Sequence, residues 1–247
     1  MPSSQITAFS AVDDGAHVSS LEGDWDRVTA GATPWRPPWC RIVVVAPHPD
    51  DETLGCGGLI AYQRRRGLPV LVVAASDGEA AYPHRSRDEI AAIRRLEQTR
   101  ALAALRVRSA NIQRCRLPDG QLAAHVEELA RRVAALVHPG DLVIAPWVHD
   151  HHCDHVACAR AAARAAERAG ASRLGSLFWA YHRTRPEVDV ATHFVRLQLD
   201  EDLIGRRAAA LAKHVSQLPG GEKRNGVLTP ALLQPLARNV ELYATTR

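Results

Sequence analysis

A mostly parallel, doubly wound α/β sheet with helices on both faces is the fold that the sequence predicts, and three observations predict it. The apolar runs "RIVVVA" (41–46), "PVLVVAA" (69–75) and "DLVIAP" (141–146) are short, rich in β-branched residues and free of polar alternation, as strands buried on both faces require. Segments with the helical period lie between such runs. A length of 247 residues with 46% apolar and 23% charged side chains suits one sizeable soluble domain. The architecture expected is Rossmann-like.

Residues 1–39 are polar, contain Gly and Pro and end in "PWRPPW", so they read as an N-terminal arm ahead of a single domain at 40–247. "SLFWAY" (176–181) reads as a further buried strand, and "ANIQRCR" (110–116) and "THFVRLQL" (192–199) as weaker ones. A helix is predicted over 88–105, where Ile90, Ile93 and Leu96 recur at spacing three and Leu102 and Leu105 continue the apolar side. Another is predicted over 121–137, where Val126, Leu129, Val133 and Leu136 share a face. Segments 154–169, 200–214 and 230–243 also read as helices, and 183–189 and 216–230 as long loops.

Composition narrows the class of protein. The net charge of +4 arises from small basic clusters with acids between them, such as Arg64-Arg65-Arg66 and Arg206-Arg207. No aromatic residues interleave with these clusters to stack bases, so nucleic acid is not an expected partner. No apolar stretch approaches the roughly 20 residues that span a bilayer, and the N-terminus has no basic-then-apolar signal. Five cysteines, none in a CxxC pair, point to a reducing, cytoplasmic setting. Homo-oligomer formation is left open.

The chemistry concentrates at strand ends. Doubly wound sheets bind ligands beyond the carboxyl ends of their strands. There the chain places "PHPDDE" (47–52), "SDGE" (76–79), "LPDG" (117–120) and "PWVHDHHCDH" (146–155). One acid would suffice to cap a helix; His48, Asp50, Asp51 and Glu52 together are more than a cap needs. A dinucleotide-binding turn does not fit, because "GCGG" (55–58) lacks the GxGxxG spacing and the turn carries negative charge where a phosphate would sit. A cation suits it instead. "HDHHCDH" (149–155) holds four of the twelve histidines, with His152 and His155 three apart, so that a helix starting there turns both to one side. His48 and Asp51 plus one of these histidines complete a three-ligand zinc set, with the fourth position open to water.

Together "APHPDDETLGCGG" and "HCDH", in that order, resemble the PIG-L/LmbE-like family of zinc-dependent N-acetylglucosaminyl de-N-acetylases. "SDGE", Arg94-x-x-Glu97, "LPDG" and "HVSQ" (214–217) add weaker likeness, and the resemblance spans roughly residues 41–243. It implies one Zn²⁺ per chain on His48, Asp51 and His155, Asp50 as general base and protonated His152 as partner of the tetrahedral intermediate. It also implies that Arg94 and Asp119 hold the sugar. Asp154 then reads either as a carboxylate orienting His152 or as an acid at a helix start. Two positions depart from the family pattern: Cys153 stands where Pro is usual, and Asp150 where some members place a Tyr near the oxyanion. The substrate implied is an acetylated amino sugar or glycoconjugate, chosen by loops at 80–87, 183–190 and 216–230. Two other classes fit the same rim: a metal-dependent phosphoesterase, and a non-catalytic sugar- or metal-binding module on the same fold.

Overall fold

The computed structural model describes residues 15–186, 192–220 and 226–245, so parts of both long loops lie outside the described residues. One sheet runs through the molecule. Its strands are β1 (Thr33–Pro34), β2 (Ile42–Ala46), β3 (Val70–Ala74), β4 (Ile112–Arg114), β5 (Leu142–Pro146), β6 (Ser172–Ser176), β7 (His193–Gln198) and β8 (Val240–Thr245). Their order is β1-β7-β8-β6-β5-β2-β3-β4. All pairings are parallel except those of β8 with β6 and β7, giving a mostly parallel mixed sheet.

The helices are α1 (Gly15–Gly31), α2 (Asp51–Arg65), α3 (Arg87–Ala104), α4 (Val126–Ala134), α5 (Cys153–Ala169), α6 (Ala180–Arg183), α7 (Glu201–Leu211) and α8 (Pro230–Leu233). Alternate residues of β2 divide between the two faces. Ile42 and Val44 pack with Leu59 and Ile60 of α2, Leu102 of α3 and Leu203 of α7. Val43 and Val45 pack with Leu129 and Val133 of α4 and the alanines of α5. The sheet is thus covered on both sides, as its unbroken apolar strands demand.

From β2 the chain proceeds to β3 and β4 on one side, then returns to place β5 on the other. The carboxyl ends of β2 and β5 therefore flank a topological switch point, where such sheets form their crevice. Val44 lies level with Ile144, so "PHPDDE" and the histidine-rich segment emerge side by side.

Three expectations are corrected. Within the segment read as an irregular arm, residues 15–31 form α1, whose Trp25 is wholly buried among Trp147, Tyr181 and Phe194, and Thr33–Pro34 pairs with β7. In "SLFWAY" only Ser176 belongs to a strand; the chain then turns into α6 with Leu177, Phe178 and Ala180 buried, and the strand is the more polar "SRLGS". Gly175 permits this, since a side chain there would meet the backbone of Trp147 at 3.0 Å. Finally, 230–243 is one short helix from Pro230, a 3₁₀ turn containing Pro235 and then β8, because Pro235 has no N–H with which to continue a helix.

Strand β8 has a second role. Helix α2 is interrupted at Cys56 (φ −154°, ψ 25°), which frees amide groups in mid-helix. Buried Glu241 of β8 takes them: its carboxylate accepts from the N–H of Gly58 at 2.7 Å and of Leu59 at 2.8 Å, while the Tyr243 hydroxyl donates to it at 2.8 Å. Gly58 lacks a side chain because a Cβ would lie 2.7 Å from Leu199. Arg207 of α7 completes the buried pairing at 3.4 Å. Glu241→Ala is expected to destabilise the protein by about 3–5 kcal/mol in urea unfolding, since it strands a buried guanidinium and two amides; Glu241→Gln, which keeps an acceptor, should lose less.

Candidate metal centre and its surroundings

The site grows from a strained turn. β2 ends at Ala46, and Asp50, the residue before α2, adopts φ 139°, ψ −30°, a conformation disfavoured for side-chain-bearing residues and costing on the order of 1–3 kcal/mol. Its carbonyl accepts from the N–H groups of Thr53 and Leu54 at 2.9 Å each, starting the helix. Buried Arg94 of α3 holds the turn from beneath, with one Nη donating to Pro49 O at 2.9 Å and lying 3.1 Å from Asp50 Oδ2. Its other Nη donates to Gly78 O at 2.9 Å. Gly78 has φ +66°, and a Cβ there would collide with this guanidinium at 2.2 Å. The arginine expected to hold sugar is thus committed to the backbone of two strand-end loops and to Asp50.

The turn carries His48 and Asp51 to meet His155 from the first turn of α5. Asp51 Oδ2 lies 3.1 Å from His48 Nδ1 and 3.3 Å from His155 Nε2. The three ligand atoms lie within 4.8 Å of one another. His155 Nε2 is buried and makes no hydrogen bond to the described residues, although Asp51 Oδ2 lies 3.3 Å away. A buried nitrogen so placed is costly unless something accepts its lone pair. Two imidazole nitrogens and a carboxylate oxygen facing one point fit a divalent cation.

The outer atoms of these ligands are fixed in turn. His155 Nδ1 lies 3.1 Å from Asp150 Oδ2. His48 Nε2 lies 3.2 Å from Asp154 Oδ2 and 3.0 Å from Asp119 Oδ1. Histidines that ligate metals commonly donate their second N–H to a carboxylate in this way. Trp179, just before α6, donates its indole N–H to Asp51 Oδ1 at 3.2 Å. Asp150 and Trp179 escaped the sequence reading: Asp150 was noted only as a departure from a pattern, and Trp179 sat in a segment read as a strand.

The expected second carboxylate, Asp154, is wholly buried. Its side chain accepts from Gly120 N at 2.7 Å and Leu122 N at 3.0 Å, tying the "LPDG" loop to α5. Its hydrogen bond to imidazole goes to His48, whereas its contribution to His152 is its backbone N–H, which donates to Nδ1 at 3.2 Å. A second grouping of His48, His152 and Asp154 also brings ligand atoms together, but its Asp154 oxygens are already engaged by these amides. "SDGE" and "LPDG" interlock: Asp119 N donates to Glu79 at 2.9 Å, and Ala80 N donates to Asp119 Oδ2 at 2.8 Å. His214 of "HVSQ" lies buried under the turn, 3.3 Å from the Thr53 hydroxyl, and Ser216 donates to Glu97 through both N–H and hydroxyl.

Burial and neighbouring charge separate the protonation states. Desolvation, reinforced by Asp51 and Glu52 and opposed by Arg94 and His48, lifts Asp50 to about 7. In the metal-free protein, burial together with the charges of His48 and His155 pushes His152 down to about 4. His155 is disfavoured as a cation by burial, but Asp51 and Asp150 outweigh that and lift it to about 9. Asp51 resists burial because His155 and His48 hold it well below the usual carboxylate range. Because the His155 value rises on folding, its stabilisation is complete below about pH 6.5 and is lost as pH climbs through about 9. The metal-free protein, kept in chelator, is therefore expected to show a falling Tm between these values by calorimetry. A level Tm would contradict the pairing of His155 with Asp51 and Asp150.

Comparison with known proteins follows the same geometry. The family model "PIG-L: GlcNAc-PI de-N-acetylase" matches residues 43–166, half of the chain. A 1D-myo-inositol 2-acetamido-2-deoxy-alpha-D-glucopyranoside deacetylase of Nocardia farcinica (strain IFM 10152) is 42% identical over 73 residues, which are 26% of this chain and 24% of that protein. A probable N-acetyl-alpha-D-glucosaminyl L-malate deacetylase 2 of Bacillus subtilis (strain 168) is 29% identical over 158 residues, 60% of this chain and 71% of the relative. Among solved structures, the zinc-inhibited form of teicoplanin deacetylase Orf2 superimposes with a TM-score of 0.65 at 19% identity, covering 84% of this chain and 98% of that one. The A40926 pseudoaglycone deacetylase Dbv21 gives 0.64 at 23%, covering 84% and 97%. At that identity the likeness is one of fold. With the matched segment running from the second residue of β2 through most of α5, and so containing both arms of the candidate metal centre, the chain belongs to the PIG-L family of GlcNAc-PI de-N-acetylase-like proteins.

Proposed function

We propose that this protein is a zinc-dependent deacetylase that removes the acetyl group from the amide nitrogen of an N-acetylglucosamine-type sugar or glycoconjugate. The observation that carries the proposal is the convergence of His48, Asp51 and His155 beside a buried carboxylate, Asp50, that takes no part in that triad. Family membership and the acetylated amino-sugar substrates named for the Nocardia and Bacillus relatives supply the substrate class.

The donor set of two imidazoles and a carboxylate suits zinc with room for water and substrate. A cation held there supplies an acidified water, with a pKa lowered to about 7, and polarises the acyl oxygen. The remaining steps belong to side chains. Asp50, lifted to about 7, accepts the proton of the attacking water near neutral pH. Its bond to Arg94 keeps the carboxylate turned from solvent and its strained backbone fixed. Because His152 Nδ1 accepts the Asp154 N–H, the ring proton resides on Nε2, and the neutral imidazole donates that proton in a hydrogen bond to the oxygen that gains charge. Asp50, having taken the proton of the water, returns it to the departing amine. Asp119, against His48, and Arg94, beneath Asp50, act on the sugar through the groups they hold.

Asp50→Ala should retain metal and lose about 10²–10⁴ of turnover, whereas His48→Ala and His155→Ala should lose the metal itself. Metal per chain, measured beside release of free amine from N-acetylated sugars, separates the two. An active Asp50→Ala protein would exclude Asp50 as the base. In the unaltered protein kcat/KM should fall as pH drops below about 7, where Asp50 becomes protonated. Asp150→Asn should weaken metal binding by about 10–100-fold through His155; unchanged affinity would remove that role.

A further inference from the structure

Resting on the reading of His48, Asp51 and His155 as a metal centre, we propose that Trp179 is a positioning residue that makes Asp51 a ligand through one oxygen only. The two oxygens of this carboxylate have different surroundings. Oδ2 faces the two histidines and also accepts the His48 backbone N–H at 3.0 Å. Oδ1 accepts the Trp179 indole N–H at 3.2 Å. An indole N–H is a donor with no second function, so the oxygen it holds is turned from the triad and the carboxylate plane is set.

The ring itself is held in place. It stands edge-on to His155 with centroids 6.3 Å apart at 84°, so one side chain touches two of the three ligands. Phe178 packs against it at 5.5 Å. The turn and short α6 that follow are anchored at their far end: Trp25 of α1 donates to Thr184 O at 3.0 Å, and the Thr184 hydroxyl donates to His149 O at 2.8 Å. Residues far from the strand ends in sequence thus fix the orientation of a carboxylate at the centre of the site. Without the indole donor Oδ1 is released, and Asp51, still held at Oδ2 by the His48 N–H, can offer both oxygens, filling a position that water or the acyl oxygen needs.

The test uses the full chain and two probes, Zn²⁺ and Co²⁺. Trp179→Phe removes the donor and keeps an aromatic ring; replacement of Trp179 by β-(3-benzothienyl)alanine removes only the N–H and keeps the shape. Both should bind Zn²⁺ about 10–100-fold more weakly in competition with a chromophoric chelator. Both should also show weaker visible absorption when loaded with Co²⁺, the signature of a higher coordination number. Calorimetry of the metal-free forms separates packing loss from ligand loss, and the benzothienyl replacement carries the result if the Phe variant fails to fold. Zn²⁺ affinity within twofold of the unaltered chain, with an unchanged Co²⁺ spectrum, overturns the role of Trp179 and leaves the metal centre standing. Failure of the unaltered chain to bind either ion overturns both.

Discussion

A single buried carboxylate oxygen, Asp51 Oδ2, is the point on which the site depends. It sits between an imidazole from the end of β2 and another from the start of α5, and both are near enough to share a cation with it. Four carboxylates, those of Asp51, Asp119, Asp150 and Asp154, meet the two histidines, and burying so many charges is costly unless each is paired or hydrogen-bonded. The surrounding structure answers that cost group by group. Amides of the "LPDG" loop hold Asp154, the amide of Ala80 holds Asp119, and an indole holds Asp51.

The same logic explains why the neighbouring carboxylates differ in chemistry. Asp51, surrounded by imidazoles, is held well below the usual carboxylate range, whereas Asp50, desolvated and beside other acids, is lifted to about 7. Adjacent residues in sequence face different partners because the backbone at Asp50 is forced into a positive φ. Arg94 makes that conformation tenable by gripping Pro49 O and the Asp50 carboxylate at once. The arginine that the family resemblance would place at the sugar thus has its guanidinium engaged with the turn itself.

Support for this small centre extends across the molecule. Glu241 on β8 caps the resumed half of α2, the helix whose first turn contains Asp51. Trp25 on α1 braces the segment from which Trp179 reaches the group formed by His48, Asp51 and His155. The described N-terminal helix and one of the last strands of the chain therefore both bear on the position of one aspartate.

Much of this was legible in the chain. Unalternating valine runs announced β2, β3 and β5, and clusters of acids and histidines at their ends marked the rim, because strand ends are where such charge can be both buried and useful. The spacing of Val18, Leu21, Trp25 and Val28 carried a helical signal for α1 that the surrounding polar residues obscured. What the linear chain could not convey was partnership across distance. Asp150 facing His155, Arg94 facing Asp50, Trp179 facing Asp51 and Glu241 facing the backbone at the break in α2 are contacts between residues whose spacing along the chain is arbitrary. The sequence by itself determined the strands, the rim and the ligand types, since these follow from local pattern and chemistry. Only the tertiary structure decided which Asp51 oxygen faces the two histidines and which carboxylates meet each imidazole, because those depend on contacts between elements that meet only after the sheet is assembled.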